Sequence, residues 1–276
     1  MALTGAGEIV SAAAARGTAA LAFNVIGIEH AEGIAAGAEA AGAAVILAIS
    51  ENCVRYHGAL EPVAAATLAI AQAASVAVGV HLDHATNADL VRAAVKAGIG
   101  SVMLDASGLD YAANVDATAE VAAWCHERDV WIEAELGEIG GKDGVHAPGA
   151  RTRPAQAAAY VAATGVDALA VAVGSSHAML TRDATLDIEL IKQLGAAVPV
   201  PLVLHGSSGV PDDTLAAAVQ AGLVKINIGT QLNKVFTSAV REALAADQRA
   251  VDPRTYGALG RDAIAQEVAR LMSVLP

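Results

Sequence analysis

The segment His81-Leu82-Asp83-His84 closes the apolar run 76–80, so two imidazoles and a carboxylate arrive together where a strand gives way to a loop. Alternation along a strand puts His81 and Asp83 on one face. His84 joins them if the strand ends there, which the following Ala85-Thr86-Asn87 permits. His177, after Val171-Ala172-Val173-Gly174-Ser175-Ser176, and His205, after Leu202-Val203-Leu204, also terminate short apolar runs. Three strand ends thus each deliver one imidazole, and three neutral imidazoles with an open position suit a catalytic zinc ion. Taken singly, each histidine reads more readily as a core residue; their convergence is what a metal requires and core packing does not. His30, His57, His126 and His146 lack that placement and read as surface or packing residues, and His81 as a core residue supporting the site.

Elements with a common polarity must hold these groups. Apolar, β-branched runs recur along the chain at 21–25, 44–50, 76–83, 101–107, 130–136, 168–174, 200–205 and 224–228, separated mostly by alanine-rich stretches with helical spacing such as 36–41, 64–74 and 216–221. Near-continuous apolar strands suit a parallel sheet covered on both faces, and eight strand–helix units at this length predict a single-domain α/β fold, the (β/α)8 TIM barrel, spanning 1–276. A doubly wound open sheet would need a glycine-rich phosphate turn after the first strand, and Asn24-Val25-Ile26-Gly27-Ile28 does not supply one. The barrel places function at the carboxyl ends of its strands, where Asn24, Ser50, Asp83, His84, Glu135, His177, His205 and Asn227 all fall. The glycine-rich stretch from Gly137 to Pro154 has no clear period and reads as a mobile lid.

Composition narrows the partners. With 276 residues, 55% of them hydrophobic, the chain can bury one barrel-sized core. Seventeen Lys and Arg against 29 Asp and Glu give a formal charge of -12, which argues against a nucleic-acid surface or an anionic membrane patch. A small phosphorylated ligand stays compatible, because local N–H groups and an arginine hold a phosphate whatever the global charge. Cys53 and Cys125 offer no disulfide framework and fit a reducing compartment. The first residues carry no signal-peptide pattern and no apolar stretch of about 20 residues appears, so a cytoplasmic protein is expected.

His-x-Asp-His, Glu-Ala-Glu-Leu-Gly, Gly-Ser-Ser-His, Leu-His-Gly-Ser-Ser-Gly and Lys-Ile-Asn-Ile-Gly-Thr occur in that order. In this ordered combination, from Phe23-Asn24-Val25 to Asp252-Pro253-Arg254, the chain resembles the class II, zinc-dependent fructose-bisphosphate and tagatose-bisphosphate aldolases, the shorter tagatose-type branch in particular. The resemblance implies Zn2+ on His84, His177 and His205, and a monovalent cation (Na+ or K+) as a second candidate ion. It implies Asp83 as the group handling the C4 proton; the plainer reading is a carboxylate that orients a ligand histidine. Glu135 corresponds to a carboxylate near the metal, and Glu133 shares its face, so one of the two could merely support the other. Gly206-Ser207-Ser208 and Asn227-Ile228-Gly229-Thr230 match the loops that hold dihydroxyacetone phosphate, with Asn24, Ser50 and Ala178 as further substrate contacts. Arg254 matches an arginine that a neighbouring subunit offers to the distal phosphate, which implies a homodimer or homotetramer.

Aldol chemistry explains these residue types. Breaking a ketose C3–C4 bond leaves an enediolate, and without a lysine Schiff base a Lewis-acid metal stabilises that charge while a nearby base takes the C4 hydroxyl proton. The lid departs from the family pattern: in Gly140-Gly141-Lys142-Asp143-Gly144 only Asp143 keeps the offset of the acid that shuttles the C1 proton. Ala178, Gly229 and Arg151-Thr152-Arg153-Pro154 also depart, which leaves another phosphorylated ketose or a keto-deoxy-sugar acid open as substrate. A zinc hydrolase on the same barrel is disfavoured, since it wants His-x-His on the first strand and an aspartate after the eighth. A barrel that binds phosphosugars without turnover is the rival from another class.

Overall fold

Strand polarity and alternation decide this architecture. In the computed structural model, which describes residues 3–137, 151–177 and 179–275, eight parallel strands close into a barrel in sequence order. They are β1 (Ala20–Asn24), β2 (Val45–Ser50), β3 (Val78–Ala85), β4 (Ser101–Leu104), β5 (Trp131–Leu136), β6 (Ala168–Val171), β7 (Leu202–Leu204) and β8 (Leu223–Ile228), and β8 pairs back onto β1. Helix α1 (Ala6–Arg16) precedes them. Around the barrel run α2 (Ile28–Ala41), α3 (Glu51–His57), α4 (Glu61–Ala73), α5 (Ala88–Lys96), α6 (Tyr111–His126), α7 (Pro154–Thr164), α8 (Ile188–Ala197), α9 (Asp212–Gln220), α10 (Thr230–Ala246) and α11 (Pro253–Val274). This is the (β/α)8 TIM barrel expected from the eight apolar runs. No helix among the described residues is long and apolar enough to cross a membrane.

Strand limits differ from the apolar runs in a consistent way. β4, β6 and β7 stop at Leu104, Val171 and Leu204, short of the runs that carry them. Ala106 and Val173 stay buried beyond the last paired residue, so apolar character outlasts the hydrogen-bond ladder. The expected lid, 137–154, is described only at its ends: Gly137 follows β5 and Pro154 opens α7, while the intervening 138–150, including Asp143, lie outside the described residues.

Period-two alternation sorts each strand. Leu21, Phe23, Leu47, Ile49, Val80, Leu82, Ile132 and Leu204 face outward into one apolar cluster shared with the helices. Burying each such side chain contributes about 1.5–3 kcal/mol. Facing inward at the amino end of the strands, Ala20, Ala22 and Ile46 meet Ile9 and Val10 of α1, which plugs that end. Nearer the carboxyl end the inward positions turn polar: His81, Asp83, Glu133, Glu135, Lys225 and Asn227 are all buried. Buried charges persist only when paired or hydrogen-bonded, and the bonds described next satisfy that requirement.

Candidate functional site

Consecutive residues on a regular strand point to opposite faces, so Asp83 and His84 cannot both face inward without a local distortion. β3 supplies one. Its pairing with β4 shifts register between Leu82 and Ala85, and His84 adopts φ 50. A bulge re-aims a side chain in this way, and left-handed backbone at a non-glycine residue is the strain that goes with it. Asp83 and His84 therefore both reach the carboxyl mouth of the barrel.

Two distant strands bracket the Asp83 carboxylate. Asn24 Nδ2, at the end of β1, donates to Oδ2 at 2.8 Å, and Asn227 Nδ2, in β8, donates to Oδ1 at 3.1 Å. Burial pushes the Asp83 pKa up, but His84, His205, Lys225 and His81 outweigh it, and the group stays below the usual carboxylate range. Asp83 is thus an oriented, ionised acceptor with no covalent tie.

The imidazoles converge on the same carboxylate. His84 Nε2 and His205 Nδ1 each lie 4.0 Å from Asp83 Oδ1. Ring centroids are 4.4 Å apart for His84 and His205, 5.1 Å for His84 and His177, and 6.1 Å for His177 and His205. Two of these rings are held from the nitrogen that faces away from Asp83. His84 Nδ1 donates to Asp105 Oδ2 at 2.9 Å, and His205 Nε2 donates to Glu133 Oε1 at 2.7 Å. A carboxylate acceptor on one nitrogen leaves the opposite lone pair for a metal. His205 Nδ1 is buried with no hydrogen-bond partner among the described residues, an orphan that a ligated cation would satisfy. Burial keeps His205 well below the ordinary histidine pKa, with nearby His84 adding to the effect, so its ring is neutral as ligation demands. The donor set fits a divalent ion: Asp83, His84 and His205 offer atoms all within 4.8 Å of one another. His177 stands slightly outside that group, in the loop six residues past the end of β6.

Glu135 is placed differently from Glu133. It is buried, 3.8 Å from His84 Nδ1, and groups with Asp105 on the far side of the His84 ring from Asp83 and His205. Glu133 instead joins His205 to Lys225, whose Nζ donates to Oε2 at 2.7 Å with both side chains fully buried. His81 lies beneath, hydrogen-bonded through Nδ1 to Ser101 at 2.6 Å, and burial together with Lys225 lowers its pKa to about 3. Glu133 is therefore a supporting carboxylate, one of the two readings its shared face with Glu135 allowed, and Asp105 and Lys225 are supporting groups to which the sequence motifs assign no role. Their signals were present: a lone lysine in the run 224–228, and an acid just past β4.

A cavity of about 340 Å³ opens above these groups, and Asn24, Ser50, Asp83, His84, His177, His205, Gly206, Ser207, Ser208, Asn227, Gly229 and Thr230 all line it. Gly206, at φ 68, admits no side chain, since a Cβ there would fall 2.7 Å from the Ser176 carbonyl carbon. Ser207 Oγ donates to the Asn227 carbonyl and Ser208 Oγ accepts from Gln231 N at 3.2 Å, which ties the turn after β7 to the first turn of α10. Ser50 accepts from Cys53 N and caps α3 while lining the cavity. Two expected contacts lie elsewhere. Alternation from Asn227 turns the Ile228 side chain outward into the apolar cluster, and Arg254, exposed in the first turn of α11, pairs with Asp252 at 2.7 Å away from this wall. Ala178 lies outside the described residues.

Known proteins show the same architecture. The YdjI aldolase from Escherichia coli K12 superposes with a TM-score of 0.87 at 32% identity, covering 99% of this chain and 97% of that one. The fructose-bisphosphate aldolase of Campylobacter jejuni shares the fold with a TM-score of 0.81 at 21% identity, over 99% and 95% of the two chains. The family model for class-II fructose-bisphosphate aldolases matches residues 5–276, and the chain belongs to that family.

Proposed function

We propose that this aldolase is a Zn2+-dependent lyase that reversibly cleaves the C3–C4 bond of a ketose 1,6-bisphosphate, of fructose or tagatose type, to dihydroxyacetone phosphate and an aldehyde phosphate. The carrying observation is the convergence of His84 Nε2 and His205 Nδ1 on one oxygen of Asp83 at the barrel mouth. His84, His205 and His177 would hold the ion, and three neutral ligands leave it its full charge for polarising the substrate oxygens beside the breaking bond. Asp83 accepts the C4 hydroxyl proton. Its two amide donors hold it in register for that transfer, as general-base geometry requires. Asn24, Asn227 and Ser50 position the sugar.

A phosphate site is supported by local backbone. The turn 206–208 and the start of α10 at Gly229 and Thr230 face the cavity, and this helix of 17 residues turns its positive dipole end toward an anion there. Asp143 is proposed as the acid of the C1 proton exchange, and Arg254 as a contact to the distal phosphate of an adjacent copy in a homodimer or homotetramer. Two buried free thiols agree with a cytoplasmic setting.

The test couples cleavage of fructose and tagatose bisphosphates to reduction of the released dihydroxyacetone phosphate, with and without chelator. Cleavage should vanish with chelator and return with Zn2+. His205→Ala should lose the ion, whereas Asp83→Ala should retain it and lose most cleavage. Chelator-insensitive turnover, or binding without cleavage, would sink the proposal.

A further inference from the structure

The two flanks of the cavity are chemically unlike. On the β7–β8 side the wall is hydroxyls and helix-start amides; on the β2–β3 side it is Glu51, Arg55 and Thr86. Among the described residues Arg55 is the sole Lys or Arg on this wall, which also carries the carboxylates of Glu51, Asp83 and Asp105. Its position is fixed by neighbours. Nε and Nη2 donate to Glu51 Oε1 at 3.3 and 2.7 Å, while Glu51 Oε2 accepts from Thr86 N at 2.6 Å and Thr86 Oγ1 at 2.9 Å. The Glu51 side chain is 12% exposed and that of Arg55 is 55% exposed, so the carboxylate is the inner partner and the guanidinium the solvent-facing one.

We propose that Arg55 is a specificity-determining residue that recognises an anionic group, phosphate or carboxylate, at the end of the sugar remote from the dihydroxyacetone phosphate half. This rests on the aldolase reading above. A substrate pinned by its first phosphate at the β7–β8 loops, with its reacting carbons at Asp83 in β3, directs its remaining carbons past Asp83 toward the loops after β2 and β3. Among the described residues, a terminal anion arriving there meets the carboxylates of Glu51, Asp83 and Asp105 and the Arg55 guanidinium. Without Arg55 the local field repels it; with Arg55 the planar guanidinium offers directional donors to phosphate or carboxylate oxygens. A neutral terminus gains little from the same residue. Discrimination is therefore built into the chain's own wall, separately from Arg254, which lies outside this cavity.

The experiment runs the reaction in the condensation direction, pairing dihydroxyacetone phosphate with glyceraldehyde 3-phosphate, tartronate semialdehyde or neutral glyceraldehyde. The holoenzymes compared are wild type, Arg55→Gln and Arg55→Lys. Wild type should favour one anionic aldehyde over glyceraldehyde by more than about tenfold in kcat/KM, and which one identifies the terminal group as phosphate or carboxylate. Arg55→Gln should cut that ratio to about twofold, mainly through KM, and Arg55→Lys should fall between. An anion preference that survives in Arg55→Gln, or its absence in wild type, overturns the proposal. So does an equal loss with all three aldehydes, the signature of a residue that only braces Glu51 and Thr86. Wild-type enzyme that condenses none of them would instead remove the aldolase reading itself, and this inference with it.

Discussion

Replacing Gly229 with alanine tests how Asp83 is held. Gly229 sits at φ -121, ψ -69, a conformation open to alanine, so the substitution acts through space and not through backbone strain. A Cβ at this position would lie 2.8 Å from Asn24 Oδ1, closer than real Cβ atoms approach. Asn24 must therefore swing away, and the 2.8 Å bond from its Nδ2 to Asp83 breaks. A hydrogen bond to a charged group contributes about 1.5–3 kcal/mol. Expressed wholly in the transition state, that loss slows cleavage by about 10- to 150-fold. On the proposed function, the assay is kcat for ketose bisphosphate cleavage by enzymes loaded with Zn2+ to equal occupancy, for Gly229→Ala, Asn24→Ala and the double variant. With Asn24 truncated the new methyl has nothing to displace, so the double variant should match Asn24→Ala, a strong non-additivity. A Gly229→Ala enzyme within twofold of wild type, or losses that multiply in the double variant, would refute the reasoning.

Other consequences can be measured separately. On the proposed metal site, Glu133→Ala should weaken Zn2+ binding by about 10- to 100-fold in chelator competition, because His205 loses the acceptor that orients it. It should also cost about 3–5 kcal/mol in denaturant melts, since Lys225 is left buried and uncompensated. Gly206→Ala imposes left-handed backbone on alanine at about 1–3 kcal/mol, before the contact with Ser176 is counted. At about 2–4 °C per kcal/mol, thermal scans should show the melting point down by about 2–12 °C. Burial pushes both cysteine thiols up to about 11, so at pH 8 each remains protonated. A thiol-reactive chromophore should therefore label neither in the native protein and both after denaturation; fast native labelling would contradict the packing.

The eight strands and the candidate ligands were legible because both signals are local. A short β-branched run marks a buried strand, and in a parallel barrel every carboxyl end opens on the same mouth, so polar residues at run ends could be grouped without knowing any contact. His84, His205 and Asp83 were readable on that basis. Ile228 falls within the loop motif that the resemblance assigns to phosphate, whereas alternation from Asn227 turns its side chain outward into the apolar cluster.

What the chain alone could not disclose are pairings between residues far apart in sequence. Asn24 and Asp83 are separated by 59 residues, Glu133 and His205 by 72, Lys225 and Glu133 by 92, and Asp83 and Asn227 by 144. No periodicity records which inward side chain meets which across the barrel axis; closure and strand register decide it. The bulge that turns Asp83 and His84 to one side also arises from pairing, when β4 meets β3 out of step. Sequence determined which groups are available and at which end of the barrel they stand. Tertiary structure decided which carboxylate orients which imidazole, why a lysine sits buried inside the barrel, and that Arg55 lines the cavity at its mouth, because the energies of buried charges depend on partners brought within about 3 Å by folding.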